Sequence, residues 1–173
     1  FTLTVIMTVV SLCLYPAVNK VSLKMGKKKP IVIGFFTYAL VFFLASICGK
    51  GLVWGIVIAV CAGVPMAILG ILPQAVVADI AETDAYESGE ERSGMFFAAR
   101  TFAMKMGQAI SMLVFTSVVA KFTGETGVNP FGYRLTAIIA TVFCLFGMVM
   151  FLLYNEKLIM GKLAQKKKVV KKI

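Results

Sequence analysis

Histidine is absent from the 173 residues, which removes the commonest metal ligand and the usual proton shuttle. Charge is scarce as well. Asp, Glu, Lys and Arg make up 15% of the chain, against about 25% in ordinary soluble domains, and acids number 8 against 18 bases. The four cysteines, Cys13, Cys48, Cys61 and Cys144, sit in apolar runs at no CxxC spacing and read as small packing residues in reduced form. No GxxxxGK[ST], HExxH or GxSxG is present, so phosphate-cradling, zinc-hydrolase and nucleophile-elbow chemistries find no support and no enzyme is expected. No cofactor is expected either, and no metal ligands within these residues.

What the chain does have is hydrocarbon. Apolar residues account for 60%, above the roughly 45 to 50% of soluble domains. Five segments approach or exceed the roughly 20 residues that a membrane-spanning helix needs: about 1–18, 30–48, 52–80, 94–122 and 135–154. The third holds Pro65 and Pro73 with Gly55, Gly63 and Gly70, a composition tolerated where neighbours satisfy the freed carbonyls, and is a candidate for bending. The sequence opens at Phe1 inside an apolar run without a basic leader. It is therefore expected to be a C-terminal piece of a longer chain rather than one starting with a signal peptide.

The lysines and arginines set an orientation. The first connection, NKVSLKMGKKKP, has five lysines, whereas the second, GKG, has one. The third, ETDAYESGEERS, has Arg92 among five acids, and the tail after residue 154 has seven lysines. Because the rule counts bases and gives acids little weight, connections one and three and the tail are expected in the cytoplasm. Residues 155–173 then read as a basic cytoplasmic tail meeting anionic lipid rather than nucleic acid.

Lys105 and Arg100 interrupt the fourth segment in RTFAMKMGQ. At 1.5 Å per residue Lys105 lies about 16 Å from Gly94, near mid-bilayer, and Arg100 about 9 Å. A charge facing lipid there costs from about 2.5 to 10 or more kcal/mol, so Lys105 should face a bundle interior or a wet cavity. Thr101, Lys105, Gln108 and Met112 share one face, which offers a hydroxyl, an ammonium and an amide to a hydroxyl-rich ligand. On the other side Ala103, Gly107 and Ser111 recur every four residues, a pattern that lets helix backbones approach, and Gly107 reads as a packing residue. Arg100 borders that side. Two readings stay open for it, a structural charge paired with Asp79 or Asp84, or a substrate contact.

The stretch ADIAETDAYESGEERSGMFFAARTFAMKMGQAIS resembles the last cytoplasmic loop and penultimate helix of the glycoside-pentoside-hexuronide:cation symporters. These are a branch of the major facilitator superfamily that includes the melibiose carriers. Ala78, Asp79, Asp84, Tyr86, Gly89, Arg92, Gly94, Phe102, Lys105 and Gly107 carry the likeness, and MGKKKP resembles that family's basic loop. The resemblance implies an all-α, polytopic membrane protein. Residues 1–154 would form a partial C-terminal bundle equivalent to helices 8 to 12 of twelve, in a bacterial inner membrane with the C-terminus cytoplasmic.

It further implies cation-coupled symport of a sugar or glycoside by alternating access. Arg100, Thr101, Met104, Lys105 and Gln108 would be at or beside the substrate, and Asp79, Asp84 and Arg92 would make gating contacts. The coupling cation, Na⁺, H⁺ or Li⁺, would bind mainly in the missing N-terminal half. Arg100 stands where the melibiose carriers have a neutral amide, and Gly70 where they have a Trp against the sugar. A hexuronide is therefore among the candidate substrates. Two other classes fit the residues: a lipid or other small-solute carrier of the same fold, and a non-transporting membrane sensor or scaffold.

Overall fold

The computed structural model describes residues 2–47, 52–122, 130–156 and 158–163, and among them there is no strand. Five helices follow in order: α1 (Thr2–Met25), α2 (Lys28–Ile47), α3 (Leu52–Ser88), α4 (Ser93–Phe122) and α5 (Pro130–Leu152). All five are long and apolar enough to cross a membrane. Cys48 and most of the tail, residues 164–173, lie outside the described residues.

Three boundaries differ by more than two residues from those expected from hydropathy. α1 continues seven residues past Val18, α3 runs on from Ile80 to Ser88, and α5 starts at Pro130 instead of Leu135. Apolarity marks where a helix sits in lipid, not where its backbone stops. Lys, Glu and Ala are good helix formers and carry α1 and α3 onward. The stops are stereochemical: Gly26 (φ 82°) and Gly89 (φ 74°) are the only residues with positive φ among those described, each just past a helix end, where a left-handed residue closes the last turn. At the start of α5, Pro130 has a fixed φ and a missing N–H that suit the first helical position. The expected tail also begins in order, with residues 156 and 158–163 helical.

α3 is the core element. It lies against both α1 and α2, and α2 in turn packs along α5, whereas α4 makes only lesser contact with α3 and α5. Val18, Ile31, Ala67, Ile68, Leu72 and Val76 form the buried cluster, with Phe151 and Tyr154 at the end of α5 packed on it. Pro65 and Pro73 are both inside the single helix α3, and Pro65 is fully buried. A Cβ on Gly63 would stand 2.7 Å from Val10 Cγ1 and 3.4 Å from the Met7 carbonyl, and one on Gly34 would be 2.9 Å from Ile68 Cγ2. These two glycines set how closely α1 and α2 approach α3.

Gly63→Leu should therefore push α1 off α3 and destabilise the protein by about 1 to 3 kcal/mol, the usual cost of overpacking. Thermal unfolding in detergent is the measurement. Gly94→Ala, at a site with nothing within 4 Å of the added carbon, should show no such loss.

Candidate functional site

α4 has no buried residue, and Thr101 to Met112 are all exposed within this chain. Its two ends are held. Near the start, Phe96 and Arg100 are half-buried. Near the other end, Phe122 meets Phe131 edge-on at 5.3 Å between ring centres, Phe115 meets Tyr133 at 6.4 Å, and Gly132 brings α5 close to Phe122. Between those contacts α4 and α5 separate around an apolar cleft of about 960 Å³. Met104, Gly107, Gln108 and Ser111 line one wall, Thr136, Ala140 and Cys144 the other, and Phe42 of α2 reaches into it.

That arrangement divides the expected site. Gln108 and Met104 face the cleft, while Arg100, Thr101 and Lys105 are not among its lining residues. Lys105 is about 60° around the helix from Gln108, on the adjoining exposed strip. The Thr101 hydroxyl donates to the Phe97 carbonyl at 2.8 Å, which leaves its oxygen lone pairs as acceptors for a ligand hydroxyl. Lys105 and Arg100 make no hydrogen bond or ion pair among the described residues. Arg100 thus has neither of the acids considered for it.

The small-residue stripe is also placed differently from its reading as a packing surface. Nothing lies within 4 Å of a Cβ built on Gly107, and Gly107 shares the cleft wall with Gln108. Residue angles on a helix are calculable from sequence, but which neighbour stands opposite each angle is not.

The charged residues at the far end of α3 meet different partners from those anticipated. Asp79 Oδ2 accepts from Lys27 Nζ at 2.6 Å, and the same ammonium donates to the Ala75 carbonyl at 3.1 Å. Arg92 pairs with Glu90, two residues away, through Nε at 2.9 Å and Nη2 at 2.5 Å. Asp84 has no ion pair among the described residues, though its carbonyl accepts from the Ser88 hydroxyl. Glu87 pairs with Lys162, and Glu90 is the partner of Arg92. Both pairs are exposed and contribute at most about 1 kcal/mol each.

Sequence reasoning missed Lys28 and Glu156. The Glu156 carboxylate accepts the Lys27 N–H at 2.5 Å and the Lys28 N–H at 3.1 Å, while Lys28 Nζ donates to the carbonyls of Leu152 (2.7 Å) and Tyr154 (2.5 Å). No short-range motif signals a pairing of residues more than a hundred apart. Burial, with Asp79 and Glu156 nearby, raises the Tyr154 phenol above its usual range, so it is a neutral packing group here. Tyr15 is a further residue without a sequence signal: its hydroxyl lies 3.7 Å from where a Cβ on Gly70 would be. Among the described residues no three Asp, Glu or Cys gather as metal ligands.

No curated protein matches the chain. No solved structure does either. A family model described as MFS/sugar transport protein matches residues 1–157, which takes in all five helices and the Glu156 contacts at the end of α5. With five spanning-length helices among the described residues, one of them presenting a lysine at mid-length that has no partner among those residues, the chain belongs to the MFS/sugar transport protein family of the major facilitator superfamily.

Proposed function

We propose that the chain is part of a secondary transporter that carries a sugar or glycoside together with a cation by alternating access, of the melibiose-carrier-like branch. One observation carries the reading: Lys105 is a cation half-way along an apolar spanning helix, exposed and without a partner among the described residues. Such a charge is stable in a membrane only if water, protein or solute meets it. Alternating access supplies a midplane cavity for that purpose, between two halves that rock about the site.

Within this reading Lys105 donates to a substrate hydroxyl or carboxylate, Thr101 accepts through its free lone pairs, and Gln108 does both. Met104 supplies apolar contact, and Arg100 a bidentate clamp for a uronate carboxylate. The coupling cation, Na⁺, H⁺ or Li⁺, would be bound mainly by acids outside these residues. In this reading the α1–α2 turn, the α3–α4 connection and the C-terminal segment lie in the cytoplasm, beside anionic lipid, and the membrane is a bacterial inner membrane; the lysine distribution supports that orientation.

The apolar cleft between α4 and α5 favours a second reading. Its walls suit an acyl chain, with Gln108, Ser111, Tyr133 and Thr136 among the few polar groups lining it. A lipid carrier would place a headgroup against Lys105 and a tail in that cleft.

Uptake into vesicles carrying the full-length protein tests both. Lys105→Ala should weaken substrate affinity roughly 10- to 100-fold, the value of a lost charge-assisted hydrogen bond, while leaving the folded yield intact. Loss of folding with unchanged affinity in the folded fraction would instead make Lys105 a structural partner. Imposed Na⁺, Li⁺ and pH gradients identify the driving ion, and a panel of glycosides against lysolipids separates the two substrate classes.

Arg100 has its own test. If it clamps a carboxylate, Arg100→Gln should lower uronate affinity roughly tenfold and leave neutral glycosides unchanged. Equal transport of both sugar types by parent and variant would remove the hexuronide assignment.

A further inference from the structure

Tyr15 and Gln74 are polar groups inside spanning helices that the fold leaves without partners. Tyr15 is half-buried, its ring packed against the buried cluster shared by α1, α2 and α3. Its hydroxyl stops at the exposed backbone of Gly70, 3.7 Å from the place of an added Cβ, and nothing else is found within 4 Å of that point. Gln74 lies one turn further on, about 40° around α3 and about 6 Å along it, and is exposed within this chain. Its Cα–Cβ bond tilts towards the start of the helix, and so towards Gly70. Neither the phenol nor the amide makes a hydrogen bond among the described residues. No buried side-chain N or O among those residues lacks a partner, so both groups are open to whatever adjoins this chain.

Depth relates these groups to Lys105. α3 and α4 are joined by the short connection 89–92, so positions equally far from it stand at similar heights. Gln74 is about 21 Å before the end of α3 and Lys105 about 18 Å past the start of α4. α3 touches both α1 and α4. Three neighbouring helices thus offer polar groups at nearly one depth, in a medium where an amide or hydroxyl without a partner is costly.

We infer that Tyr15 and Gln74 form a second, uncharged wall of the substrate site, with Gly70 as the gap that admits the edge of a sugar ring. The phenol donates one hydrogen bond and accepts another, and the amide does both, so together they match neighbouring ring hydroxyls. The substrate class narrows accordingly to solutes with a neutral, hydroxyl-bearing ring that meets this wall while Lys105 meets another side. Packing holds the Tyr15 ring, so its hydroxyl is in place before the solute arrives. The inference rests on the transporter reading, since only a carrier brings a sugar to this depth.

Binding and uptake of the methyl glycosides of glucose, galactose, xylose and glucuronic acid are measured with the full-length protein in vesicles, with the unfolding temperature of each variant alongside. For the glycoside bound best, Tyr15→Phe and Gln74→Ala should each weaken affinity roughly 3- to 10-fold, the value of one neutral hydrogen bond, with the unfolding temperature held. Gly70→Leu, which fills the gap, should weaken it roughly tenfold or more. Should Gln74→Ala fold poorly, Gln74→Met, which keeps the length and removes the amide, takes its place.

Monodeoxy analogues of the same glycoside separate contact from structure. The analogue lacking the hydroxyl that Tyr15 meets should bind the parent and Tyr15→Phe alike, whereas the others keep the difference. An equal loss across all analogues overturns the second wall, and so does unchanged affinity in both Tyr15→Phe and Gln74→Ala; in either case uptake by the parent leaves the transporter reading standing. Absence of binding and uptake of every glycoside by the parent removes the sugar reading, and this inference with it.

Discussion

Hydrocarbon accepts no hydrogen bonds, and that single fact dictates most of this molecule. Every backbone N–H and C=O within the bilayer must be satisfied inside its own segment, which leaves helices as the only spanning form for a chain without barrel-like alternation. The helices are then held by shape rather than by exclusion of water, because lipid tails are as apolar as leucine. Gly63 against Val10 and Met7, and Gly34 against Ile68, are therefore where the fold is decided. They let α3 lie close to both neighbours, and the buried cluster from Val18 to Val76 follows from that approach.

The same constraint explains the ends. A helix leaving the lipid has four unpaired donors or acceptors, and where two antiparallel helices end together each can supply what the other lacks. The turn at Gly26 and Lys27 is short enough to bring this about: the Glu156 carboxylate and the Lys28 ammonium cross over, and Lys27 is left to reach α3. Of the five lysines that make the first connection basic, two are spent on structure. Lys20, Lys24 and Lys29 are exposed and remain available to an anionic surface. A count of lysines cannot separate these roles, because both raise the local charge equally.

Much of the fold was legible from residues alone. Number and rough position of the helices follow from apolar run length, since the bilayer sets that length. Their ends were less legible: hydropathy places the lipid boundary, whereas Gly26, Gly89 and Pro130 place the stereochemical one. In the candidate site, the oddness of Lys105 is visible from sequence because a charge amid apolar residues is costly wherever the helix packs. The neighbours of Gly107 are not, since they depend on how far α5 stands from α4. Nor is the Lys27–Asp79 pair, which joins residues 52 apart, although the acid and the lysine loop were each conspicuous.

The two ends of the bundle therefore differ in kind. At the α1–α2 turn every charge with a strong partner is used to fix one helix on another. Along α4 the opposite holds: Phe102, Met106 and Leu113 can be covered by lipid or by apolar protein at little cost, but Lys105 cannot. Whatever covers α4 must supply a charge or water at one height and hydrocarbon elsewhere. A permanently packed apolar helix does not meet that requirement, whereas a cavity that fills and empties does. The unburied helix and the lysine without a partner among the described residues are thus one feature, and the hydrogen-bonded α2–α5 joint with α3 packed on α1 and α2 is the frame against which α4 presents it.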